Sequence, residues 1–467
     1  MKPIKNRIAA RGGAYSLALT AIVLAILVAV NALFSALPSS LTRLDISSTQ
    51  LYSVTSNTKV VMNALDKDVT VYWIVQADEE DDVIENLLSR YEALSSHIEV
   101  VKKNPDAYPT FAAQYTDEDV PNNSLIVECG SKSRYISYND IYLTDIDYNT
   151  YSYVYSFDGE GALTSAIDYV VSDELPQVYQ LTGHGEADLP DEFAAQLEKE
   201  NMTLSSFSLL TVDAIPEQAD TLLLYAPASD LSADEVTMLE DYLQGGGKLL
   251  VISGAPEGGT LETLRGLLSA HGVETVDGLV VDTDREHYAL GYPYVLLPDL
   301  APDEITDPLL ESGYHAIFPL AQGMTVTGSD ASALLTTSDA AYSKAAGYEL
   351  TTYEREDGDS DGPFALAVRV SVGAGELIWF SSDLFLEPGY NAYASGANLD
   401  LVMNALASLI GQREAVSIRS KSLSYNYLTI SASSASLLKA WMIGVVPGTF
   451  VLLGVFTVID RRKKRHA

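Results

Sequence analysis

The sequence predicts an α/β body of two lobes flanked by two transmembrane helices. Two apolar stretches, one near each end of the 467-residue chain, are long enough to cross a bilayer. Basic residues flank both stretches, whereas acidic residues dominate the middle of the chain. Between the stretches, β-branched strand patterns alternate with amphipathic helical patterns, which is typical of α/β proteins.

The charge distribution restricts the function. The formal net charge of −36 argues against nucleic acid as a partner, because phosphate binding needs clustered Lys and Arg. Residues 1–13 and 460–467 each carry about +4, so the middle of the chain carries about −44. Positive segments beside apolar spans stay in the cytoplasm. We therefore expect a two-pass protein of the bacterial cytoplasmic membrane, with both termini inside and the acidic body outside.

The first apolar stretch, residues 14–37, is predicted to be a transmembrane helix behind a cytoplasmic basic tip at 1–13. Its rival is a cleaved signal peptide, whose apolar core is about 7–15 residues and ends at a small-x-small site. This stretch is longer, and Phe34 stands where a small residue belongs. An uncleaved anchor is the favoured interpretation.

The second apolar stretch, residues 440–459, is predicted to be a transmembrane helix followed by a cytoplasmic basic tail at 460–467. Trp441 suits a membrane interface, and a membrane helix tolerates Pro447-Gly448 better than a soluble helix does. The alternative is a buried soluble helix, which would not need five basic residues after it.

The first extracytoplasmic lobe is predicted over residues 40–157 as a small α/β unit. Ser53 or Thr55 can cap a short helix that runs to Leu65. The further elements predicted are a strand at 69–75, a helix at 83–94, and strands at 98–101, 125–129 and 134–137. A thioredoxin-like layout is one alternative. The single cysteine, Cys129, lies in an apolar strand pattern, and the chain has no Cys-x-x-Cys motif. A redox function is therefore not supported.

The second lobe is predicted over residues 158–437 as a parallel-sheet α/β unit. Its elements alternate between strand and helix, which predicts a parallel sheet covered on both faces. The helix at 233–244 has a capping box of Ser232 and Glu235 and a glycine stop at 245–247. The other predicted elements are helices from 161, at 191–201 and through 399–409, and strands at 177–182, 203–209, 221–226, 248–253 and 376–381. Residues 282–355 yield no firm motif.

The best candidate for a ligand or interaction site is the turn of Gly183, His184, Gly185 and Glu186. It follows a strand at its carboxyl end, where open α/β sheets bind ligands. Two glycines let the backbone approach a ligand, and a His–Glu pair can move protons or bind a metal. The alternative is a tight turn whose His and Glu hold neighbouring loops by hydrogen bonds. We assign no catalytic residue, no metal site and no cofactor.

An acidic loop at residues 356–362 resembles the start of a calcium loop. Asp357, Asp359, Asp361 and Gly362 match its first six positions, but Val368 stands where the bidentate Glu belongs. A solvated hairpin tip is favoured, and weak calcium binding is the alternative. The glycines at 245–247 end a helix, so they do not form a phosphate loop.

Several motifs together resemble the GldG-like auxiliary proteins of ABC transport systems, first associated with gliding-motility transporters. The matching segments are 44–59, 160–167, 181–186, 227–235 and 242–250. They occur in the same order as in the family, and the similarity spans about residues 40 to 410. The resemblance implies a non-enzymatic, membrane-anchored subunit outside a separate ABC permease, with the ATPase on another chain. It also implies a glutamine-amidotransferase-like second lobe. Because Ser253-Gly-Ala-Pro256 lacks the cysteine that such enzymes need, the resemblance does not carry over their chemistry.

Two other classes of function remain as alternatives. One is an anchored envelope enzyme that uses His184 and Glu186. The other is an extracytoplasmic sensor whose lobes close on a small ligand.

Overall fold

The computed structural model describes residues 51–147, 152–255, 261–411 and 418–423, together with isolated helical residues between 21 and 29 and between 439 and 456. Some of the helices begin at side-chain caps that the sequence supplies. Thr55 accepts a hydrogen bond from the Thr58 N–H, and Asp81 accepts from the N–H groups of Val83 and Ile84. The helices are α1 (Ser56–Ala64), α2 (Asp82–Leu94), α3 (Tyr138–Ile141), α4 (Gly159–Val171), α5 (Asp191–Lys199), α6 (Ala233–Gln244), α7 (Glu262–Ser269), α8 (Asp307–Ser312), α9 (Pro388–Tyr393) and α10 (Ala397–Ile410).

Strands form where β-branched and aromatic residues cluster. The strands are β1 (Val69–Ile74), β2 (Ile98–Lys103), β3 (Ser124–Cys129), β4 (Lys132–Ile136), β5 (Tyr142–Asp147), β6 (Ser152–Phe157), β7 (Gln177–Leu181), β8 (Thr203–Phe207), β9 (Thr221–Tyr225), β10 (Lys248–Ile252), β11 (Val273–Thr275), β12 (Leu279–Asp282), β13 (Val295–Leu296), β14 (Asp299–Leu300), β15 (Phe318–Pro319), β16 (Met324–Val326), β17 (Ala331–Thr336), β18 (Ala341–Lys344), β19 (Ser360–Asp361), β20 (Ala365–Val372), β21 (Gly375–Phe380) and β22 (Lys421–Ser422).

The first lobe is built on a four-stranded mixed sheet in the order β2-β1-β3-β4. β1 and β2 are parallel and are connected through α2, whereas β3 is antiparallel to both β1 and β4. A βαβ unit followed by a hairpin agrees with the thioredoxin-like alternative. Helix α4 completes this core, since Leu163, Ile167 and Val170 are buried among side chains of β1, β3 and α2. The apolar core of the first lobe therefore extends beyond residue 157.

The second lobe is built on a ten-stranded sheet. Five neighbouring strands, β8-β7-β9-β10-β21, are parallel, as predicted for this lobe. Strands β20, β16, β11, β17 and β14 extend the sheet in antiparallel fashion. Part of this extension comes from residues 282–355, in which no firm motif was predicted. Residues of α5 and α10 pack on one face and residues of α6 and α7 on the other, so the parallel strands are buried on both sides.

The predicted fold class is wrong in its two flanking transmembrane helices. Among the described residues, no helix has the length and apolar character that crossing a membrane requires. Most of 14–37 and 440–459 lies outside the described residues, and the longest described helical run there, 21–26, has six residues. A span needs about 20 residues. The prediction rested on hydropathy and flanking charge, and neither of them fixes where a continuous helix forms.

Both ends of the described body meet at Glu160, which is 2% exposed at the start of α4. Its Oε1 accepts hydrogen bonds of 2.6 Å from Thr55 N–H and from the Thr58 hydroxyl. Its Oε2 lies 2.8 Å from Lys421 Nζ. One buried carboxylate therefore holds the segment that enters the body and the segment that leaves it.

Candidate functional site

The turn of residues 183–186 lies at the point where the parallel sheet changes direction. The chain passes from β7 to β8 on one side of β7, and then returns to place β9 on the other side. In open α/β sheets, ligands bind in the crevice at this switch point, beyond the carboxyl ends of the strands. The turn fills this position and contacts the loop after β9. The His184 carbonyl accepts hydrogen bonds from the N–H groups of Ala228 (3.1 Å) and Ser229 (2.9 Å).

The imidazole of His184 lies between two buried carboxylates. The residue is 9% exposed. Its Nε2 is 3.2 Å from Glu235 Oε2, and its Nδ1 is 3.6 Å from Glu186 Oε1. The Glu186 carboxylate also accepts a 2.9 Å hydrogen bond from the His184 N–H through Oε2. Both ring nitrogens therefore face carboxylate oxygens of the protein itself.

Two glycines permit this turn. Gly183 has a φ of +123°, and a Cβ at this position would lie 2.6 Å from Ser208 Oγ. Gly185 has a φ of +72°. L-residues with side chains rarely adopt these conformations, so the glycines serve backbone geometry and close packing against Ser208. That role needs no ligand.

Glu235 joins the turn to helix α6. Ser232 caps the helix, and Glu235 completes the predicted capping box, since its Oε2 accepts a 2.9 Å hydrogen bond from the Ser232 N–H. The same oxygen faces His184 Nε2. The remaining oxygens, Glu186 Oε1 and Glu235 Oε1, have no hydrogen-bond partner among the described residues. The sequence indicated Glu235 only as a cap, because its contact with His184 spans 51 positions.

The geometry of the turn agrees with the interpretation in which His184 and Glu186 hold neighbouring loops. The two ring nitrogens lie 3.6 Å and 3.2 Å from carboxylate oxygens of Glu186 and Glu235. Among the described residues, no group of three or more His, Cys, Asp or Glu has the arrangement that would hold a metal ion. Ligand binding at the turn stays an untested prediction.

The carboxyl ends of β9, β10 and β21 bring Asp383 close to Gly254. The backbone is tight there, since a Cβ on Gly254 would lie 2.7 Å from Asp383 Oδ1. Burial raises the pKa of the Asp383 carboxyl, although hydrogen bonds from backbone N–H groups partly oppose the shift. Burial, followed by the nearby charge of Asp383, raises the pKa of Tyr225. Ser253 occupies the turn after β10, and Pro256 lies outside the described residues.

The acidic loop at 356–362 pairs with cationic side chains that lie just before it in the sequence. The fully buried ammonium of Lys344 lies 2.9 Å from Asp359 Oδ2 and 2.7 Å from Glu356 Oε2. Burial opposes ionisation of Asp359, but hydrogen bonds from Lys344 and from backbone N–H groups lower its pKa. Arg355 Nε pairs with Asp361 Oδ1 at 2.6 Å. Two of the three carboxylates that resembled a calcium loop, those of Asp359 and Asp361, thus pair with cationic side chains of the protein.

The sequence analysis did not predict two polar clefts that lie between the lobes. Tyr135 and Asp158 line them, and no local motif marks either residue. Asp158 is the residue before a helix, and Tyr135 lies in a short strand. Nothing in the local sequence therefore distinguishes either residue from an ordinary structural residue. Only the placement of the lobes brings them together.

The fold and the turn together define a two-lobed α/β protein whose conspicuous His–Glu motif is buried within the structure. Residues 175–373 match the model of the family described as ABC-type uncharacterized transport system. This finding confirms the resemblance to GldG-like auxiliary components. Residues 48–144 match a domain of unknown function. The match over residues 175–373 supports an auxiliary role in an ABC transport system.

Solved structures share parts of the architecture at low similarity. The mmIFT52 N-terminal domain is 17% identical, with a TM-score of 0.37, 50% of this chain covered and 97% of that chain. The cytoplasmic protein STM1381 from Salmonella typhimurium LT2 is 12% identical, with a TM-score of 0.30 and coverages of 50% and 99%. The cytoplasmic protein STM3548 from Salmonella typhimurium is 15% identical, with a TM-score of 0.31 and coverages of 50% and 98%. No curated protein matches this chain significantly.

Proposed function

We propose that this chain is a non-enzymatic auxiliary subunit that acts on the outer side of a separate ABC permease, with the ATPase on another chain. The observation that carries the proposal is the family match over residues 175–373. The buried state of His184 supports the non-enzymatic part, because a catalytic imidazole must reach the group whose proton it moves.

The outer position is supported by charge. A net charge of −36 keeps a large body soluble and well separated from phosphate-rich partners. The partner surface on the permease would then have to accept an acidic protein, which favours a basic or neutral outer face. Complementary charge of this kind steers association and makes it sensitive to salt.

Co-purification from the native membrane tests the partnership. The full chain, tagged and extracted in mild detergent at low salt, is expected to bring down a permease and an ATPase in fixed ratio. An unrelated acidic membrane protein with the same tag is the control. Recovery of the full chain without either component, at low salt and after mild cross-linking, would exclude the partnership.

The side of the membrane can be tested with a single reporter thiol. The chain has only Cys129, so a Cys129→Ser background carrying Asp117→Cys places one cysteine at an exposed position. A membrane-impermeant maleimide is expected to label this variant in intact cells. The same cells after permeabilisation are the matched control. Labelling that appears only after permeabilisation would place the body inside and refute the outer position.

A further inference from the structure

Two cavities adjoin each other between the lobes. Their volumes are about 600 Å³ and about 530 Å³, and both are lined by Arg134, Tyr135 and Glu198. Small-molecule sites in proteins occupy about 300–1,000 Å³ and often lie where domains meet. The size and the position therefore fit a ligand.

The walls of the 530 Å³ cavity come from both lobes. The first lobe contributes β4, the start of β5 and helix α4, and the second lobe contributes α5 and α10. The lining residues from the first lobe are Arg134, Tyr135, Ile136, Asp140, Leu143, Asp158, Ala162 and Ser165. Those from the second lobe are Glu192, Ala195, Gln196, Glu198, Lys199 and Leu399. A molecule bound here would contact both lobes at once.

Two buried polar atoms of the lining have no hydrogen-bond partner among the described residues. One is Oδ1 of Asp158, a residue that is 4% exposed, and the other is Oη of Tyr135. Nearly all buried polar groups in proteins are paired, so a group without a partner needs an explanation. Here both atoms belong to residues that line the same cavity. A ligand that donates hydrogen bonds would satisfy them.

The charges of the lining favour a cationic ligand. Four carboxylates, those of Asp140, Asp158, Glu192 and Glu198, stand against the two cations Arg134 and Lys199. Both cations already have protein partners. Lys199 Nζ is 2.6 Å from Asp158 Oδ2, and the Arg134 guanidinium donates to Asn201 Oδ1. An additional positive charge would offset the remaining excess of carboxylate.

The acids around Lys199 are poorly solvated. Burial raises the pKa of Asp158, and the charge and hydrogen bond of Lys199 only partly oppose this shift. Burial likewise raises the pKa of Glu200, which follows α5, to about 7. A carboxylate that is poorly solvated by water gains more from an incoming cation than an exposed one does.

We propose that the cavity between the lobes binds a small solute with a primary ammonium group. An ammonium carries one positive charge and three N–H donors, whereas the lining presents an excess of carboxylates and two unpaired atoms that can accept hydrogen bonds. The atoms Asp158 Oδ1 and Tyr135 Oη are screened from solvent in this conformation. Binding therefore involves a small separation of the lobes, and the bound solute changes how the lobes contact each other. This inference goes beyond the transporter role and does not depend on it.

Titration calorimetry with the full chain tests the proposal. The probe is putrescine, a diamine, and the matched neutral probe is 1,4-butanediol, which has the same length with hydroxyls in place of amines. Saturable one-site binding of putrescine at 150 mM salt, without binding of the diol, is expected. Equal binding of both probes, or binding of putrescine only at low salt with no saturation, would overturn the ammonium assignment.

Substitutions assign the binding to this cavity. Asp158→Asn keeps the size of the side chain and removes its charge, and a weakening of putrescine binding by about tenfold or more is expected. Asp117→Asn makes the same chemical change at an exposed position outside the cavity and is expected to leave binding unchanged. Equal weakening by both substitutions would show that the chain attracts amines through its overall charge, and would refute a site.

Tyr135→Phe gives an independent test if Asp158→Asn does not fold, because it removes only a hydroxyl without a protein partner. Binding weaker by about threefold to tenfold is expected from the loss of one neutral hydrogen bond. Unchanged binding of putrescine in Tyr135→Phe and in any folded Asp158→Asn protein would exclude this cavity as the site.

Discussion

The His184 turn and the cavity between the lobes both contain buried carboxylates, but they differ in what the carboxylates face. In the turn, Glu186 and Glu235 lie on either side of one imidazole. In the cavity, Asp158 uses one oxygen for Lys199, and its other oxygen has no partner among the described residues. The turn is conspicuous in the sequence and closed in the structure. The cavity is inconspicuous in the sequence, and two buried polar atoms of the residues that line it have no partner among the described residues.

A polar motif with glycines can therefore be conspicuous in a sequence for purely structural reasons. Gly183 and Gly185 are needed by the backbone, and the imidazole of His184 holds two loops through acids that would otherwise be buried alone. By contrast, the cavity exists only because two lobes pack with polar surfaces facing each other. The following three substitutions test this contrast.

The largest effect is expected for Glu235→Ala. The substitution removes the partner of His184 and one half of the capping box of α6. Losing the hydrogen bond between His184 and the carboxylate together with the cap costs about 2–5 kcal/mol of unfolding free energy. Urea unfolding of the full chain measures the loss, and Asp234→Ala, an exposed neighbour in the same helical turn, is expected to stay within about 0.5 kcal/mol. A loss as small as that of the control would mean that the turn does not depend on Glu235.

A smaller effect with a pH signature is expected for Glu200→Gln. The folded-state pKa of Glu200 is raised from 4.5 to about 7, because its carboxylate is poorly solvated. The protonated form contributes stability that is fully present below pH 4.5 and is lost as the pH rises through about 7. Gln mimics the protonated form. The variant is therefore expected to be more stable than the wild type at pH 8, by at most about 3 kcal/mol, and equal to it at pH 4.

Thermal unfolding at both pH values measures the Glu200 effect. Glu198→Gln, at an exposed position of α5, is the matched control and is expected to change little at either pH. The same gain in stability at pH 4 and pH 8 would contradict the raised pKa, and would indicate that the amide acts through a new hydrogen bond instead.

The smallest effect is expected for Tyr135→Phe in the absence of ligand. Its hydroxyl has no partner among the described residues, so its removal should change the unfolding free energy by less than about 0.5 kcal/mol. The matched substitution in the same lobe is Tyr142→Phe, which removes a 3.0 Å hydrogen bond to Asp81 Oδ1. That change should cost about 1.5–3 kcal/mol. Equal losses in the two variants would show that the Tyr135 hydroxyl is paired in solution, for example by water.

Much of the fold follows from local sequence patterns. The capping box of Ser232 and Glu235 fixes the start of α6, and the alternation of strands and helices predicts the five parallel strands of the second lobe. The antiparallel half of the sheet was not predicted. Its strands β11, β14 and β16 are only two or three residues long, so they leave almost no periodicity to detect.

The candidate site likewise has a part that local sequence signals predict and a part that they do not. The sequence predicts the turn at 183–186, because glycines and a strand end are local signals. It does not predict that Lys344 neutralises Asp359, or that Asp158 lies opposite Lys199, because these contacts depend on how distant elements pack. The two transmembrane helices were predicted from hydropathy and flanking charge, and no helix among the described residues has the length that such a span needs.

The meeting of both ends of the described body at Glu160 has a mechanical consequence. Thr55, Thr58 and Lys421 all bind this one carboxylate, so a pull on either segment is transmitted to the other through side chains at the start of α4. Tension between the two segments therefore bypasses the large sheet of the second lobe. Force between the two segments would thus act on the start of α4 in the first lobe.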